Sequence, residues 1–212
     1  WYGRGDFKKA IKYGEEALSI AKELYDEKHP DVVVYLNNLG NAWHGRGDSK
    51  KAIAYYEEAL SIAKELYGKR HPHVAKALNN LGNAVGNQKK AIEYGEEALS
   101  IAKELYGQKH PDVVVYLTNL GNAWRVCGNK KKAIEYGEEA LSISKELYGQ
   151  KHPDVAGCLH NLGCTWKVFG DGKKASECLR EAYKVFREFY GEEHPSTKIA
   201  KKWLNSLRNK EE

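Results

Sequence analysis

Apolar residues recur along this chain at helical spacing, in segments that copy one another. From Val32 they fall at Val32, Tyr35, Leu36, Leu39 and Trp43, three and four residues apart, which places one apolar stripe along an amphipathic helix. Pro30, just ahead of them, suits the first turn of a helix, where its missing N–H costs nothing and its fixed φ is already helical. Gly47-Asp48 breaks the helix and offers a carboxylate to cap the next one. A second stripe follows at Ala52, Tyr56, Ala59, Leu60, Ala63, Leu66 and Tyr67, and Gly68 ends it with a residue that tolerates a left-handed cap. The result is a helical hairpin with one apolar seam per helix. Neither helix can bury its seam alone, so hairpins must stack.

The hairpin repeats. Pairs at His29-Pro30, His71-Pro72, His110-Pro111, His152-Pro153 and His194-Pro195 lie 42, 39, 42 and 42 residues apart. A period in this range marks a solenoid of stacked supersecondary units. The expected divisions are a partial repeat at 1–28, full repeats at 29–70, 71–109, 110–151 and 152–193, and a terminal capping helix with a tail at 194–212. Trp1 aligns with Trp43, Trp124 and Trp166, so the chain is expected to begin inside a repeat as a fragment of a longer array, and Thr197 to Leu207 resembles a first helix with no second helix after it.

Two irregularities stand out. The repeat at 71–109 is three residues short, nearly one turn or about 4.5 Å of rise, which predicts a first helix ending near Val85 and a local change in pitch. The position of Tyr56 is taken by Gly14, Gly95 and Gly137 in three repeats. Glycine in mid-helix costs about 0.5–1 kcal/mol, and the expectation is that it makes room for a neighbouring Trp or Tyr.

Leu36, Leu39, Gly40, Trp43, Gly47, Ala52, Tyr56 and Ala59 fall at the spacing of the tetratricopeptide repeat, with small residues at Gly40, Ala52 and Ala59 that let two helices approach closely. With its His-Pro-Asp-Val opening and long second helix, the 42-residue form resembles the repeats of kinesin light chain and of nephrocystin-type or NTPase-linked arrays. The resemblance covers essentially the whole chain. It implies an all-α fold, a right-handed α-solenoid of stacked hairpins whose first helices line a concave groove. It does not by itself name a function, because such arrays serve many partners.

Composition narrows the classes. Charged residues make up 30% of the 212, the formal net charge is +5, and mean hydropathy is −0.69. No apolar run approaches the roughly 20 residues of a membrane span, so a soluble protein with no membrane partner is expected. Basic and acidic residues alternate, with Lys-Lys ahead of each second helix and Glu-Glu within it, as on a solvated face. They form no stripe with interleaved aromatics, so no nucleic-acid partner is expected. Cys127, Cys158, Cys164 and Cys178 follow no regular framework and read as free thiols in a reducing compartment, by default the cytoplasm.

The strongest candidate site is an asparagine ladder. The residue before the Leu-Gly of each first helix is Asn38, Asn80, Asn119 and Asn161, and the resemblance places it facing the groove. One turn on come Asn41, Asn83 and Asn122, with Cys164 breaking the series. A side-chain amide both donates and accepts, so one per repeat could track the backbone of an extended peptide. The opposing reading is that these amides cap carbonyls or face water. His44, Arg125 and Lys167 at equivalent late positions, together with Lys76 and His160, would favour an acidic peptide if they line the groove, where Val34 and Val115 add apolar patches. A carboxylate-clamping cochaperone is disfavoured, since its pattern wants a lysine where this chain has Asn37, Asn79, Thr118 and His160.

Other motifs read as structural. Histidines on successive repeats lie too far apart to share a metal, so the His-Pro pairs serve turns and caps, and the His160/Cys164 pair lacks further ligands. Arg4-Gly5-Asp6 and Arg46-Gly47-Asp48 spell an integrin tripeptide, but only the glycine and the capping residue recur at Cys127-Gly128-Asn129 and Phe169-Gly170-Asp171. No nucleophile–base–acid constellation, P-loop or dinucleotide fingerprint appears, and no cofactor is expected. The expected function is a non-catalytic adaptor that holds an extended peptide, of acidic character, in the groove. The alternative is self-assembly, with the seam at Ile199, Trp203 and Leu207 of one molecule docking on the first helix of the next, between Phe7 and Tyr25.

Overall fold

The computed structural model describes residues 6–208, which form ten α-helices and no strand. They are α1 (Phe7–Leu24), α2 (Pro30–Gly45), α3 (Ser49–Tyr67), α4 (Pro72–Ala84), α5 (Gln88–Tyr106), α6 (Pro111–Val126), α7 (Lys130–Tyr148), α8 (Pro153–Val168), α9 (Gly172–Tyr190) and α10 (Pro195–Arg208). The helices fall into two compact units, divided between Leu105 and Tyr106. Unit 1 holds α1 and the hairpins α2/α3 and α4/α5; unit 2 holds α6/α7, α8/α9 and α10. Trp1 and the first two residues of the Arg4-Gly5-Asp6 triplet lie outside the described residues.

Each first helix starts in the same way. The histidine before the proline has extended backbone and accepts, through Nδ1, the N–H two residues on: His29 from Asp31, His110 from Asp112 and His152 from Asp154, each at 3.2 Å. The same ring stacks on the tyrosine that ends the preceding helix, with centroids 4.0 Å apart for Tyr25–His29 and 4.1 Å for Tyr190–His194. The His-Pro pair is therefore a cap and a hinge pin between helices. Second helices begin on a carboxylate or amide cap: Asp48 accepts from Lys51 N, Asn129 from Lys132 N and Asp171 from Lys174 N, at 3.0–3.1 Å. The capped lysine lays its ammonium over the tryptophan ending the first helix, at 3.8 Å for Lys51–Trp43, 4.0 Å for Lys132–Trp124 and 4.1 Å for Lys174–Trp166. Arg46-Gly47-Asp48 belongs to this device: Asp48 is the cap, Gly47 has φ +90° and Arg46 lies over Trp43.

Small residues set the helix spacing within a hairpin. A Cβ on Gly40 would run into the ring of Tyr56, and one on Gly163 would come within 2.7 Å of Leu179. At Gly14 and Gly137, two of the three glycines replacing Tyr56, the neighbour is a leucine, not the expected Trp or Tyr. A Cβ on Gly14 would lie 2.8 Å from Leu39, and one on Gly137 would lie 3.1 Å from Leu162. The first-helix leucine of the next hairpin takes the space. The first helix of the shortened repeat is short, as expected: α4 has 13 residues where α2 has 16, and it ends on an extended Val85. Ion pairs Lys22–Glu58 and Lys64–Glu97 link successive second helices on the solvated face of unit 1, each worth about 0–1 kcal/mol.

α10 differs from the other first helices. In α8, Val155, Ala156 and Leu159 pack on α9 through Ala182, Val185 and Phe186, and Gly163 meets Leu179. The α10 counterparts of Ala156, Leu159 and Gly163 are Lys198, Lys201 and Asn205, all exposed. Its apolar residues turn the other way: Ala200 joins the α8/α9 core, and Trp203, Leu204 and Leu207 pack with Cys164 and Leu179. The face that would receive another second helix is charged.

Candidate functional site

The ladder asparagines do not form one uniform row of open amides. In unit 1 the inner amide is Asn37, 1% exposed, which donates from Nδ2 to the Val33 carbonyl at 3.0 Å. Asn80 donates to Asn37 Oδ1 at 3.3 Å and accepts from Asn79, itself buried, at 3.5 Å. Asn41 accepts the Tyr56 hydroxyl at 2.7 Å. Both Asn80 and Asn41 thus brace helix against helix. Asn38 is half-buried with a partner of its own, Asn83 and Lys76 are exposed, and His44 is half-buried.

In unit 2 the face of the first helices carries a depression of about 390 Å³. α6 supplies Val114, Val115, Thr118 and Asn119, α8 supplies Asp154, Gly157 and Cys158, and the ends of α7 and α9 bring Tyr148, Phe186 and Tyr190. A second depression of about 180 Å³ lies between α8 and α10, lined by His160, Asn161 and Ile199, and shares Gly157, Phe186 and Ser196 with the first. Gly157 is the reason they adjoin. Its counterparts on α2, α4 and α6 are Val34, Lys76 and Val115, whereas a Cβ at Gly157 would have nothing within 4 Å. Each depression therefore holds one ladder asparagine beside bare helix backbone. Asn122 lines a narrow crevice with Asn161 and is half-buried.

The two ends of this face differ in charge. Asp112 and Asp154 sit in the first turns of α6 and α8. Arg125 and Lys167 sit in the last turns, where both act on the Cys164 thiol. Burial outweighs them and pushes that thiol up to about 11, so it stays protonated and unreactive at neutral pH. Burial also raises the Cys158 thiol, whose sulfur lies 3.9 Å from Thr118 Oγ1. Arg125 Nε is buried with no acceptor.

The structure withdraws two of the expected groove residues from open solvent. Trp203 of α10 lies edge-on to His160 at 6.3 Å, and the Lys167 ammonium sits 4.8 Å from its ring centre and bonds to Ser206. Burial lowers the His160 pKa, and its ring lies 3.8 Å from Cys164 Sγ. Among the described residues no group of three or more His, Cys, Asp or Glu side chains is placed to hold a metal, and no helix is long and apolar enough to cross a membrane.

Sequence reasoning missed the inner amides Asn37 and Asn79, and it missed Tyr148, Phe186, Tyr190 and Gly157 as lining residues. The recurrent Tyr-Gly was legible as a helix end, but nothing in its spacing says that the ring reaches the face of the next first helix. Gly157 could have been found: it is the one glycine at its position in the repeat.

Comparison with known proteins agrees with this architecture. The tetratricopeptide repeat pattern matches residues 2–65, 44–104 and 83–146 in one form and 155–196 in another. No curated protein sequence matches the chain. Among solved structures it is similar to BtubC (BKLC) from P. vanneervenii, with 23% identity, a TM-score of 0.79, and coverage of 96% of this chain and 84% of that one. It is similar to a Podosopora anserina protein named for kinesin light chain, with nearly identical TPR-like repeats: identity 20%, TM-score 0.69, coverage 88% and 90%. The apo form of RapI aligns with 97% of this chain and 58% of its own, at 19% identity and a TM-score of 0.68. At these identities the likeness is one of fold. With the family pattern spanning most of its length, the chain belongs to the tetratricopeptide repeat family.

Proposed function

We propose that this chain is a non-catalytic adaptor that binds an extended peptide along the first-helix face of unit 2. Repeats of this family are generally non-catalytic scaffolds for protein interaction. The observation that carries the reading is the pair of depressions meeting at Gly157, one with Asn119 and one with Asn161 at its wall. Glycine there leaves backbone open to close approach, at a cost in helix stability of about 0.5–1 kcal/mol against alanine. Cavity volume of about 390 Å³ falls in the usual range of roughly 300–1,000 Å³ for ligand sites. Arg125, in the last turn of α6, puts positive charge at the late-helix end of this face and supports an acidic residue there in the bound peptide. Free thiols at all four cysteines favour a reducing compartment, the cytoplasm. The repeat phasing at 29–70, 71–109, 110–151 and 152–193 is part of the same reading.

The test is selection of peptides from a displayed random library on the whole chain, followed by affinity measurement against variants. Asn119→Ala and Arg125→Ala are each expected to weaken a selected peptide about tenfold with helicity unchanged. Peptides that bind both variants as they bind the parent would remove this face from consideration. Self-assembly through α10 is the weaker reading, because Lys198 and Lys201 charge the face a partner helix would need and Asn205 adds a polar group to it.

A further inference from the structure

We propose that the larger of the two depressions on the first-helix face of unit 2 is the seat of an arginine side chain of the bound peptide, an inference that rests on the peptide-binding reading above. The only lining side chain that carries a full charge at neutral pH is a carboxylate, Asp154; the walls are otherwise apolar or aromatic, with a few neutral polar groups. No lysine or arginine among the described residues pairs with Asp154. Its near neighbour is His152 Nδ1 at 3.6 Å, which accepts the Asp154 N–H. Asp112, in the first turn of α6, stands in the same relation to His110 at 3.9 Å. The negative field reaches the wall: after burial, Asp154 and Asp112 are the next causes that raise the Tyr148 hydroxyl above its ordinary value.

An acidic side chain entering here would lose water against apolar walls and meet Asp154, so the seat opposes the sign expected from the basic residues at the other end of the face. A plain aliphatic side chain would fill the space but leave Asp154 without a counter-charge. Arginine satisfies both parts: its stem lies along apolar surface, and its flat guanidinium stacks on aromatic rings and pairs with a carboxylate through two parallel N–H bonds. Tyr148 and Tyr190 each have one ring face covered by a histidine, His152 at 4.6 Å and His194 at 4.1 Å, which fixes those rings in place. The peptide would then be bipolar, basic where it crosses the first turns of α6 and α8 and acidic toward Arg125.

The probe is a set of fluorescein-labelled heptapeptide libraries, each with its central residue fixed as Arg, citrulline, Leu or Glu, titrated against the whole chain by fluorescence polarisation. The expected result is binding of the Arg set at least tenfold tighter than the Glu set and several-fold tighter than the citrulline set, which has nearly the same shape without the charge. Asp154→Asn should abolish the advantage of Arg over citrulline, and Gly157→Leu should weaken every set. If Leu or Glu binds as tightly as Arg, or if the Arg advantage survives Asp154→Asn, the arginine seat is overturned while sensitivity to Gly157→Leu keeps the peptide face. If no set binds, or Gly157→Leu changes none of them, the face and the seat both fall.

Discussion

Asn80 donates a hydrogen bond from Nδ2 to Oδ1 of Asn37 across 3.3 Å, tying α4 to α2. Two amides that look alike in the repeat thus have unlike work: Asn37 is buried, and Asn80 completes its bonding. Asn80→Ala is expected to lower stability by about 0.5–1.5 kcal/mol, and Asn37→Ala by about 1–3 kcal/mol because the Asn80 donor would lose its acceptor. Urea unfolding of both variants measures this. Equal stability of Asn37→Ala and the parent would show that the bridge contributes nothing.

Glycines in this repeat separate by what surrounds them. Gly40→Ala should destabilise by about 1–3 kcal/mol through overpacking, since the added methyl meets the Tyr56 ring. Gly157→Ala has open space around the new methyl and should stabilise by about 0.5–1 kcal/mol. Opposite shifts in the urea midpoint are the expected outcome; a loss of stability in both would contradict the open site at Gly157.

The aspartate that follows the opening proline in α2, α6 and α8 (Asp31, Asp112 and Asp154) is replaced in α4 by His73. Burial holds His71 and His73 below the ordinary imidazole pKa, with His71 and Lys76 adding to the effect on His73. The unfolded chain therefore takes up protons first as pH falls. Stability present above about pH 6.5 is lost progressively as pH drops through the lower folded-state values. His73→Asp should lose less stability than the parent between pH 7.5 and 5.5; parallel losses in denaturant titrations at the two pH values would refute this.

Trp203 anchors α10 to α8 through His160, Lys167 and the Cys164–Leu179–Leu204 cluster. Trp203→Glu should accordingly unfold α10 and cost about 2–4 kcal/mol, with no change in molecular mass. Light scattering on parent and variant across a concentration series reads the difference. A parent that is oligomeric and a variant that is a stable monomer would restore the assembly reading.

Local rules carried the fold. Helical spacing, His-Pro openings and glycine ends mark α2 through α9 to within a residue or two, and even the short α4 follows from three missing residues. The site was less legible, because its geometry depends on which neighbour fills a gap. Asn38, Asn80, Asn119 and Asn161 occupy one repeat position, and the residue before each is Asn37, Asn79, Thr118 or His160; what these side chains meet depends on the neighbouring helix, with Asn37 across from Asn80, Cys158 beside Thr118 and Trp203 edge-on to His160. The basic residues suggested one sign of ligand charge, while Asp154 lies in the wall of the larger depression. Such pairings are tertiary and have no signature in spacing alone.

The most direct measurement is a map of backbone amide chemical-shift changes as a library-selected peptide is titrated into the whole chain. Binding along the first-helix face of unit 2 predicts shifts concentrated at residues 111–125 and 153–161, with saturation that Gly157→Leu removes. Shifts gathered instead on α1, or on the solvated faces of α7 and α9, would contradict it.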